Sequence, residues 1–434
     1  MDLTQTAKRA KNASYTLGTL SSDVKNRALA AVADALSARA EEILEANRLD
    51  LQAAQTAVDA GKLKPALFAR LKLDRDKLNT VVSGVRELIA LPDPVGRVLS
   101  VTELDDGLVL RKITCPLGVL LAIFESRPDV LPQIAALAIK SANAVILKGG
   151  EEASKTNDAL ARVIADALAA VPGFPDGALA VVHTRAESAE LLKMDQYIDL
   201  VVPRGGSGLI RYVKENAAMP FLGHADGVCH IYVARSATLD MAQKICIDAK
   251  TQYPAACNAA ETVLIDENWP DENKKALLVS LRRVGVEIRG GAEAEKLIGS
   301  VAPVEDWHTE YGAKILSVKL VRGVLAAVEH INEYGSGHTD CIITEDESEA
   351  GTFMDLVDSA GVYHNASTRF ADGYRYGFGA EVGISTAKTH ARGPVGLEGL
   401  TIYKYRLEGN GQIVADYAGP HAKKFTHKKR EESK

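Results

Sequence analysis

The chain has 434 residues, of which 47% are hydrophobic and 25% charged, and a formal net charge of −6. That length exceeds one ordinary hydrophobic core and predicts two or three domains, with the composition of a globular protein of enzyme size. The slightly negative balance argues against a nucleic-acid surface, and no apolar run approaches the length of a membrane span.

The first hundred residues read as helical. Leu29, Val32 and Leu36, then Ile43 and Leu44, recur at helical spacing between Ser22 and Gln52, with charges on the opposite face. Leu78, Val81, Val82, Val85, Leu88 and Ile89 form a second such pattern, which ends before Pro92 and Pro94. From Arg97 to Ile113 the pattern becomes that of two strands, Val98–Leu104 and Leu108–Ile113. They are joined across Asp105-Asp106-Gly107, a strong hairpin signal. Gly118–Phe124 is continuously apolar, as a strand buried on both faces is. Helix and strand then alternate, with helices at Asp129–Ala142, Ala153–Ala170, Ala186–Lys193 and Ser207–Asn216. The intervening strands are Ala144–Leu147, Ala178–Val182 and Ile198–Val202, and this alternation predicts a parallel sheet covered on both faces. A second α/β series begins at Cys229–Val233, with strands at Thr262–Ile265, Val286–Ile288, Ile315–Val321 and Cys341–Thr344. The chain closes with a strand-like pair, Leu400–Arg406 and Gln412–Tyr417, and a basic run through Lys428-Lys429-Arg430 that reads as a solvated tail.

The chemistry is concentrated in the loops. Cys257 follows Pro254 and two alanines and precedes the apolar run Val263–Ile265. Pro254 ends the helix arriving from Leu239–Lys250, so Cys257 falls on a helix-to-strand loop, where reactive side chains are commonly presented. A cysteine is intrinsically very nucleophilic even when mostly protonated; the plainer alternative is a small buried hydrophobe. The five cysteines, Cys115, Cys229, Cys246, Cys257 and Cys341, are widely spaced and never paired as C-x-x-C. That spacing argues against a disulfide framework and a structural zinc site, and with no apolar leader at Met1 it fits a reducing, cytoplasmic setting.

Pro203-Arg204-Gly205-Gly206-Ser207-Gly208 follows a buried strand and opens a helix, a seat for pyrophosphate on backbone N–H groups. It departs from G-x-G-x-x-G at Arg211, and a plain tight turn is the alternative. Lys148-Gly149-Gly150 also ends a strand, and its lysine either reaches a ribose or phosphate or is simply solvated. Glu125-Ser126-Arg127-Pro128-Asp129 follows the strand ending at Phe124, and Arg127 can fork onto a carboxylate or phosphate. Arg369 in Asn365–Phe370 and Arg392 in His390–Pro394 have the same character. Each arginine alone is an ordinary ion-pair partner, but three at turn-rich strand ends point to an anionic substrate.

Together these motifs resemble the aldehyde dehydrogenase superfamily and, within it, the γ-glutamyl phosphate reductase family, also called glutamate-5-semialdehyde dehydrogenase. The residues that carry the likeness are Phe124-Glu-Ser-Arg-Pro-Asp-Val130, Tyr253-Pro-Ala-Ala-Cys-Asn258, Gly335-Ser-Gly-His-Thr-Asp340, Asn365-Ala-Ser-Thr-Arg-Phe370 and Gly379–Thr386 with His390–Gly399. The resemblance implies an aldehyde dehydrogenase-like α/β fold. Its parts would be an NADP-binding parallel-sheet domain (1–96 and 114–225), an α/β catalytic domain (226–390), a small β oligomerisation flap (97–113 and 391–418) and a flexible tail (419–434). It implies Cys257 as the thiol that attacks an acyl phosphate, with its backbone N–H as oxyanion donor. Lys148 and Gly149, with Gly205, Gly206 and Ser207, would hold NADPH; Arg127, Asn258 and Arg369 would contact substrate, and no metal takes part. The implied reaction is NADPH-dependent reduction of L-glutamyl 5-phosphate to L-glutamate 5-semialdehyde plus phosphate through a Cys257 thioester, the second step of proline biosynthesis from glutamate. A cytoplasmic homo-oligomer, dimer or tetramer, is expected, and because the chain starts directly in the reductase, its substrate is expected from a separate glutamate 5-kinase by transient contact.

The departures matter too. Ordinary aldehyde dehydrogenases carry a glutamate in a Leu-Glu-Leu-Gly-Gly stretch that activates water against the thioester; the matching Phe221-Leu-Gly-His-Ala-Asp-Gly227 lacks it. This fits a phosphate-linked reductase and counts against the hydrolytic form of the alternative, a hydrolytic or CoA-acylating aldehyde dehydrogenase. The usual oxyanion-hole asparagine is also missing, with Arg127 near that point. Glu151, directly after Lys148-Gly149-Gly150, would repel the 2′-phosphate of NADPH and suit the 2′-hydroxyl of NADH. A scaffold that lost the reaction would not be expected to keep Cys257 and the glycine turns.

Overall fold

A computed structural model describes residues 2–63 and 65–430 and divides the chain into two units, Met1–Phe221 with Gly396–Lys434, and Leu222–Val395. The first unit opens with helices at Leu3–Leu17, Ser22–Ala38, Ala40–Asp59, Pro65–Leu71 and Arg75–Ala90. Asp2, Ser21 and Asp74 cap three of them by accepting from the backbone N–H groups of Gln5, Val24 and Lys77. The helical pattern expected as one between Ser22 and Gln52 is divided at Arg39, which leaves helical geometry at φ −104° and ψ 25°. Its guanidinium bridges Glu42 and Asp166, tying the corner to the next helix and to Ser154–Ala169.

Asp105-Asp106-Gly107, with Gly107 at φ +67°, joins β1 (Val98–Asp105) to β2 (Leu108–Pro116) as an antiparallel hairpin. The chain then enters β3 (Val119–Phe124), β4 (Ala144–Lys148), β5 (Leu179–Val182) and β6 (Leu200–Arg204), a parallel sheet of order β5-β4-β3-β6. Both central strands are buried along their whole length. Val119, Leu121 and Ile123 face Leu3, Ala7, Ala10 and Leu17, and the alternating Leu120, Ala122 and Phe124 are buried toward the other side.

The hairpin is extended by Thr401–Glu408, antiparallel to β2. The second member of the expected closing pair is not a strand: Val414–Tyr417 forms a 3₁₀ helix, and the Tyr417 hydroxyl donates to Asp105 at 2.8 Å. The stretch expected as a tail contains a strand, Lys428–Arg430, antiparallel to β1, because Arg430 reaches the buried carboxylate of Glu103. Residues 431–434 lie outside the described residues. Among the described residues no helix is long and apolar enough to cross a membrane.

The second unit is a six-stranded parallel sheet. Its strands are β7 (Cys229–Val233), β8 (Ala260–Asp266), β9 (Glu287–Gly290), β10 (Ile315–Val321), β11 (Thr339–Ile343) and β12 (Gly361–His364). Their order is β12-β11-β7-β8-β10-β9. Alternation again builds two cores: Ile231 and Val233 of β7 pack with Ile245, Trp269 and Leu277, whereas Tyr232 packs with Ile331 and Phe353. β13 (Gly383–Ser385) and β14 (Gly393–Val395) pair antiparallel beside it.

One ion pair clips the loop between the helix Leu239–Thr251 and β8. Lys250 Nζ lies 2.6 Å from Glu261 Oε2 with both side chains fully buried. Burial pushes the Glu261 carboxyl up to about 7 and the Lys250 ammonium down, so each charge depends on the other. The backbone N–H of Gly312 donates to the remaining Glu261 oxygen at 3.3 Å. Lys250→Met should therefore cost about 3–5 kcal/mol in urea unfolding, and Lys250→Met with Glu261→Leu should recover most of it. A single variant with an unchanged midpoint would show that the clip is not structural.

Candidate active site

Cys257 sits on a tight turn. The N–H of Ala256 donates to the Tyr253 carbonyl, and the N–H of Ala259 to that of Ala256 at 2.8 Å. Cys257 is partly exposed, whereas Cys229, Cys246 and Cys341 are buried. Burial pushes those three thiols up, Cys341 to about 12, and raises Cys115 as well. A thiol held protonated is inert, which leaves Cys257 as the candidate nucleophile. Its carbonyl accepts from Cys229 Sγ at 3.3 Å. Gly227 lies so close that a Cβ there would stand 2.0 Å from the Cys257 carbonyl oxygen.

Two imidazoles flank the thiol. One ligand atom each from His224, Cys257 and His338 all lie within 4.8 Å of one another, and the two rings meet edge-on with centroids 4.9 Å apart. His224 Nδ1 is 3.0 Å from the Ile384 carbonyl, which can only accept, so this nitrogen carries the proton. His338 Nδ1 is 2.8 Å from Thr339 Oγ1, and its buried Nε2 has no hydrogen-bond partner among the described residues. Burial first, and His224 second, hold His338 well below 6.5 and therefore neutral at pH 7.

The sheet explains the convergence. β11, β7 and β8 are parallel neighbours, and each of these residues stands just ahead of one of them: His338 before Thr339, His224 before Cys229 and Cys257 before Ala260. Sequence reasoning missed both histidines as site residues, although each lies inside a motif read as informative. The glutamate-less stretch Phe221–Gly227 holds His224, and Gly335–Asp340 holds His338.

Arg369 is drawn to the same place. Buried, its Nε donates to Gln252 Oε1 at 2.9 Å and its guanidinium carbon stands 5.9 Å from the Tyr253 ring centre. Burial and then Arg375 disfavour its charge, while Cys257 is close enough to favour it, so an incoming anion would be welcome. Asn258 is buried behind Cys257: Nδ2 donates to the Ala371 carbonyl at 2.8 Å, and its backbone carbonyl accepts from Thr368 Oγ1 at 2.7 Å. These bonds tie the Thr368–Ala371 segment to the Cys257 turn. Arg392, by contrast, is engaged with Asp358.

The other residues singled out in the sequence lie in the first unit. Arg127 is paired with Asp129 at 3.4 Å. Lys148 ends β4, buried; burial lowers its pKa, against the pull of Glu151 and Glu152. Glu125 Oε2 accepts from the Gly206 N–H at 2.9 Å, at the start of the helix Ser207–Asn216. The amide seat read from the sequence thus binds an anion, here the chain's own carboxylate. A Cβ on Gly205 would fall 2.5 Å from that carboxylate, and one on Gly149 would fall 2.1 Å from Asn157 Nδ2, so both glycines keep the approach open. Ser126 holds φ +39°, with its N–H and hydroxyl both given to Glu152.

The aldehyde dehydrogenase family model matches residues 1–302. The γ-glutamyl phosphate reductase of Brachyspira hyodysenteriae is 51% identical over 431 residues, covering 99% of this chain and 100% of that protein. The crystal structure of the γ-glutamyl phosphate reductase of Thermotoga maritima superposes with a TM-score of 0.91 at 39% identity, covering 95% of this chain and 100% of that one. This chain belongs to the γ-glutamyl phosphate reductase branch of the aldehyde dehydrogenase family. An acetylating aldehyde dehydrogenase from Geobacillus thermoglucosidasius, at 18% identity and a TM-score of 0.62, shares the fold.

Among the described residues the cluster of ligand atoms at the thiol is completed by two imidazoles, those of His224 and His338. Gly227 is what lets its loop pass Cys257. Gly227→Ala should displace the Cys257 backbone and lower kcat about 100-fold while the protein still folds, as steady-state turnover and circular dichroism would show. Full turnover in this variant would mean that the nucleophile's position is not set by this contact.

Proposed function

We propose that the chain reduces L-glutamyl 5-phosphate to L-glutamate 5-semialdehyde and inorganic phosphate, with NADPH as reductant and Cys257 as nucleophile. The observation that supports it most is the partly exposed Cys257 turn, flanked by His224, His338 and Arg369, in a chain about half identical to γ-glutamyl phosphate reductases over its whole length. The Cys257 thiolate attacks the acyl carbon, the carbon–oxygen bond to phosphate breaks, and a thioester remains. Arg369 attracts the leaving phosphate. Backbone N–H groups of the turn, that of Cys257 first, serve the oxyanion, each worth about 10²–10³ in rate; the Asn258 amide is already given to Ala371. Cys257 leaves again as thiolate when the reduced adduct collapses to the aldehyde.

A nicotinamide cofactor belongs to the family, and the donor set of the first unit fits one. Lys148 and Gly149 would hold the ribose side, and Gly205, Gly206 and Ser207, whose N-terminal amide already seats a carboxylate, would hold the pyrophosphate. When bound, the cofactor supplies the hydride. NADPH is our reading despite exposed Glu151, because Lys148 supplies a cation beside it. The flap around β1, β2 and Thr401–Glu408 exposes Leu99, Tyr403, Tyr405 and Leu407 and is our choice for the homo-oligomer contact. A cytoplasmic enzyme fed by transient contact with glutamate 5-kinase completes the proposal.

Purified protein given glutamate semialdehyde and NADP⁺ or NAD⁺ should reduce the nucleotide only when inorganic phosphate is present. Equal rates without phosphate would mean that water resolves the thioester, the signature of a hydrolytic aldehyde dehydrogenase; a preference for NAD⁺ would assign Glu151 as the selector. Cys257→Ala should lose at least about 10³-fold in turnover with an unchanged melting temperature. Glu125→Gln removes the carboxylate that competes for the amide seat and should lower the cofactor KM about threefold to tenfold. A raised KM would make Glu125 part of the binding set instead.

A further inference from the structure

We propose that His224, Cys257 and His338 form a zinc site, so that a borderline-soft divalent cation captures the nucleophile and switches the enzyme off reversibly. The inhibitory consequence rests on the reading of Cys257 as nucleophile; the binding does not. The ligand atoms lie within 4.8 Å of one another. Tetrahedral zinc, with Zn–S of about 2.3 Å and Zn–N of about 2.0–2.1 Å, spaces such ligands about 3.4–3.6 Å apart, so a contraction of about 1 Å completes the site. Rotation of the side chains with a small shift of the His224 loop supplies that, because His338 and Cys257 stand one and three residues ahead of β11 and β8, and His224 five ahead of β7.

The second observation is His338 itself. Its residue is 1% exposed, its Nδ1 is engaged with Thr339, and its Nε2 is buried without a hydrogen-bond partner among the described residues. A buried polar atom left unsatisfied is costly; in the tautomer whose Nδ1–H donates to Thr339 Oγ1, Nε2 carries a lone pair that a cation satisfies. His224 is oriented for the same task, since the proton that Nδ1 gives to the Ile384 carbonyl leaves the lone pair on Nε2. Two imidazoles and a thiol match zinc and disfavour magnesium, which takes oxygen ligands. Binding is written Cys257–SH + Zn²⁺ → Cys257–S–Zn⁺ + H⁺, with no change of oxidation state. Three protein ligands leave the fourth zinc position to water or an anion, while the sulfur lone pair needed for attack on the acyl carbon is occupied.

The test uses the full chain after treatment with a chelator, with Co²⁺ as a spectroscopic probe and Zn²⁺ measured by competition with a chromophoric chelator. One equivalent of Co²⁺ should give a thiolate charge-transfer band and tetrahedral ligand-field bands. Zn²⁺ should displace it and abolish turnover over the same concentration range, reversibly with EDTA, and Mg²⁺ should do neither. His224→Gln and His338→Gln should each weaken Zn²⁺ binding by at least about 100-fold. Cys257→Ala should lose the charge-transfer band, which keeps the test decisive if the buried His338 variant fails to fold. Absence of the band, or Zn²⁺ affinity unchanged in His224→Gln or Cys257→Ala, overturns the site. Because the band is read without substrate, a zinc site in a chain that lacks reductase activity would sink only the reductase reading.

Discussion

The candidate site depends on one constraint, the parallel pairing of β11, β7 and β8. Strands that run the same way start at the same edge of the sheet, so whatever precedes their first residues is gathered there. Cys341 opposite Ile231, and Cys229 opposite Ala260, set those starts. An antiparallel neighbour would carry its preceding loop to the far edge, about 17 Å away for a five-residue strand. The Lys250–Glu261 pair then closes the base of the cysteine loop, and the missing Cβ of Gly227 lets the neighbouring loop lie against it. Register gathers the groups, and these two local contacts hold the sulfur in place.

The two units meet opposite electrostatic demands. Beside Cys257 the buried Arg369 feels Arg375 and, more weakly, the carboxylates of Asp248 and Asp372, and its hydrogen-bond partner is neutral Gln252. An acyl phosphate would bring further negative charge to that guanidinium. In the first unit the balance is reversed. Glu125 and Glu152 are spent on backbone amides that an anionic ligand would otherwise take, and Lys148 stands among carboxylates. An anion seat filled by an internal carboxylate costs little in the free protein, because no amide is left bare, and it weakens binding of any ligand that must displace it.

How much of this could be read from the sequence follows from which signals are local. The Asp-Gly hairpin, the helix Ser207–Asn216 and the strand Ile315–Val321 are set by turn chemistry and periodicity, and they appear where the sequence places them. Cys257 was legible because Pro254 and the following apolar run bracket it. His224 and His338 were not, since a histidine in a loop gains its role only when strand order brings separate loops together, and these two lie well apart from Cys257 in the chain. The break at Arg39 and the strand Lys428–Arg430 were hidden for a similar reason: each depends on a distant carboxylate, Asp166 in one case and Glu103 in the other. Gln412–Tyr417 failed differently, its apolar alternation serving a 3₁₀ turn anchored by Tyr417 on Asp105.

The fate of a thioester at Cys257 turns on which nearby group can activate water. A general base works best when its pKa lies near the working pH. His338 is held well below 6.5 by burial and is neutral, which makes it a poor base for water. Glu261 has the favourable pKa, about 7, but one of its oxygens is held by Lys250 and the other by the N–H of Gly312. The carboxylate with suitable basicity is therefore locked into structure, and His338, one of the two imidazoles flanking the thiol, lacks the basicity. Neither Glu261 nor His338 is therefore suited to activate water, which is what the proposed phosphate-linked reaction requires.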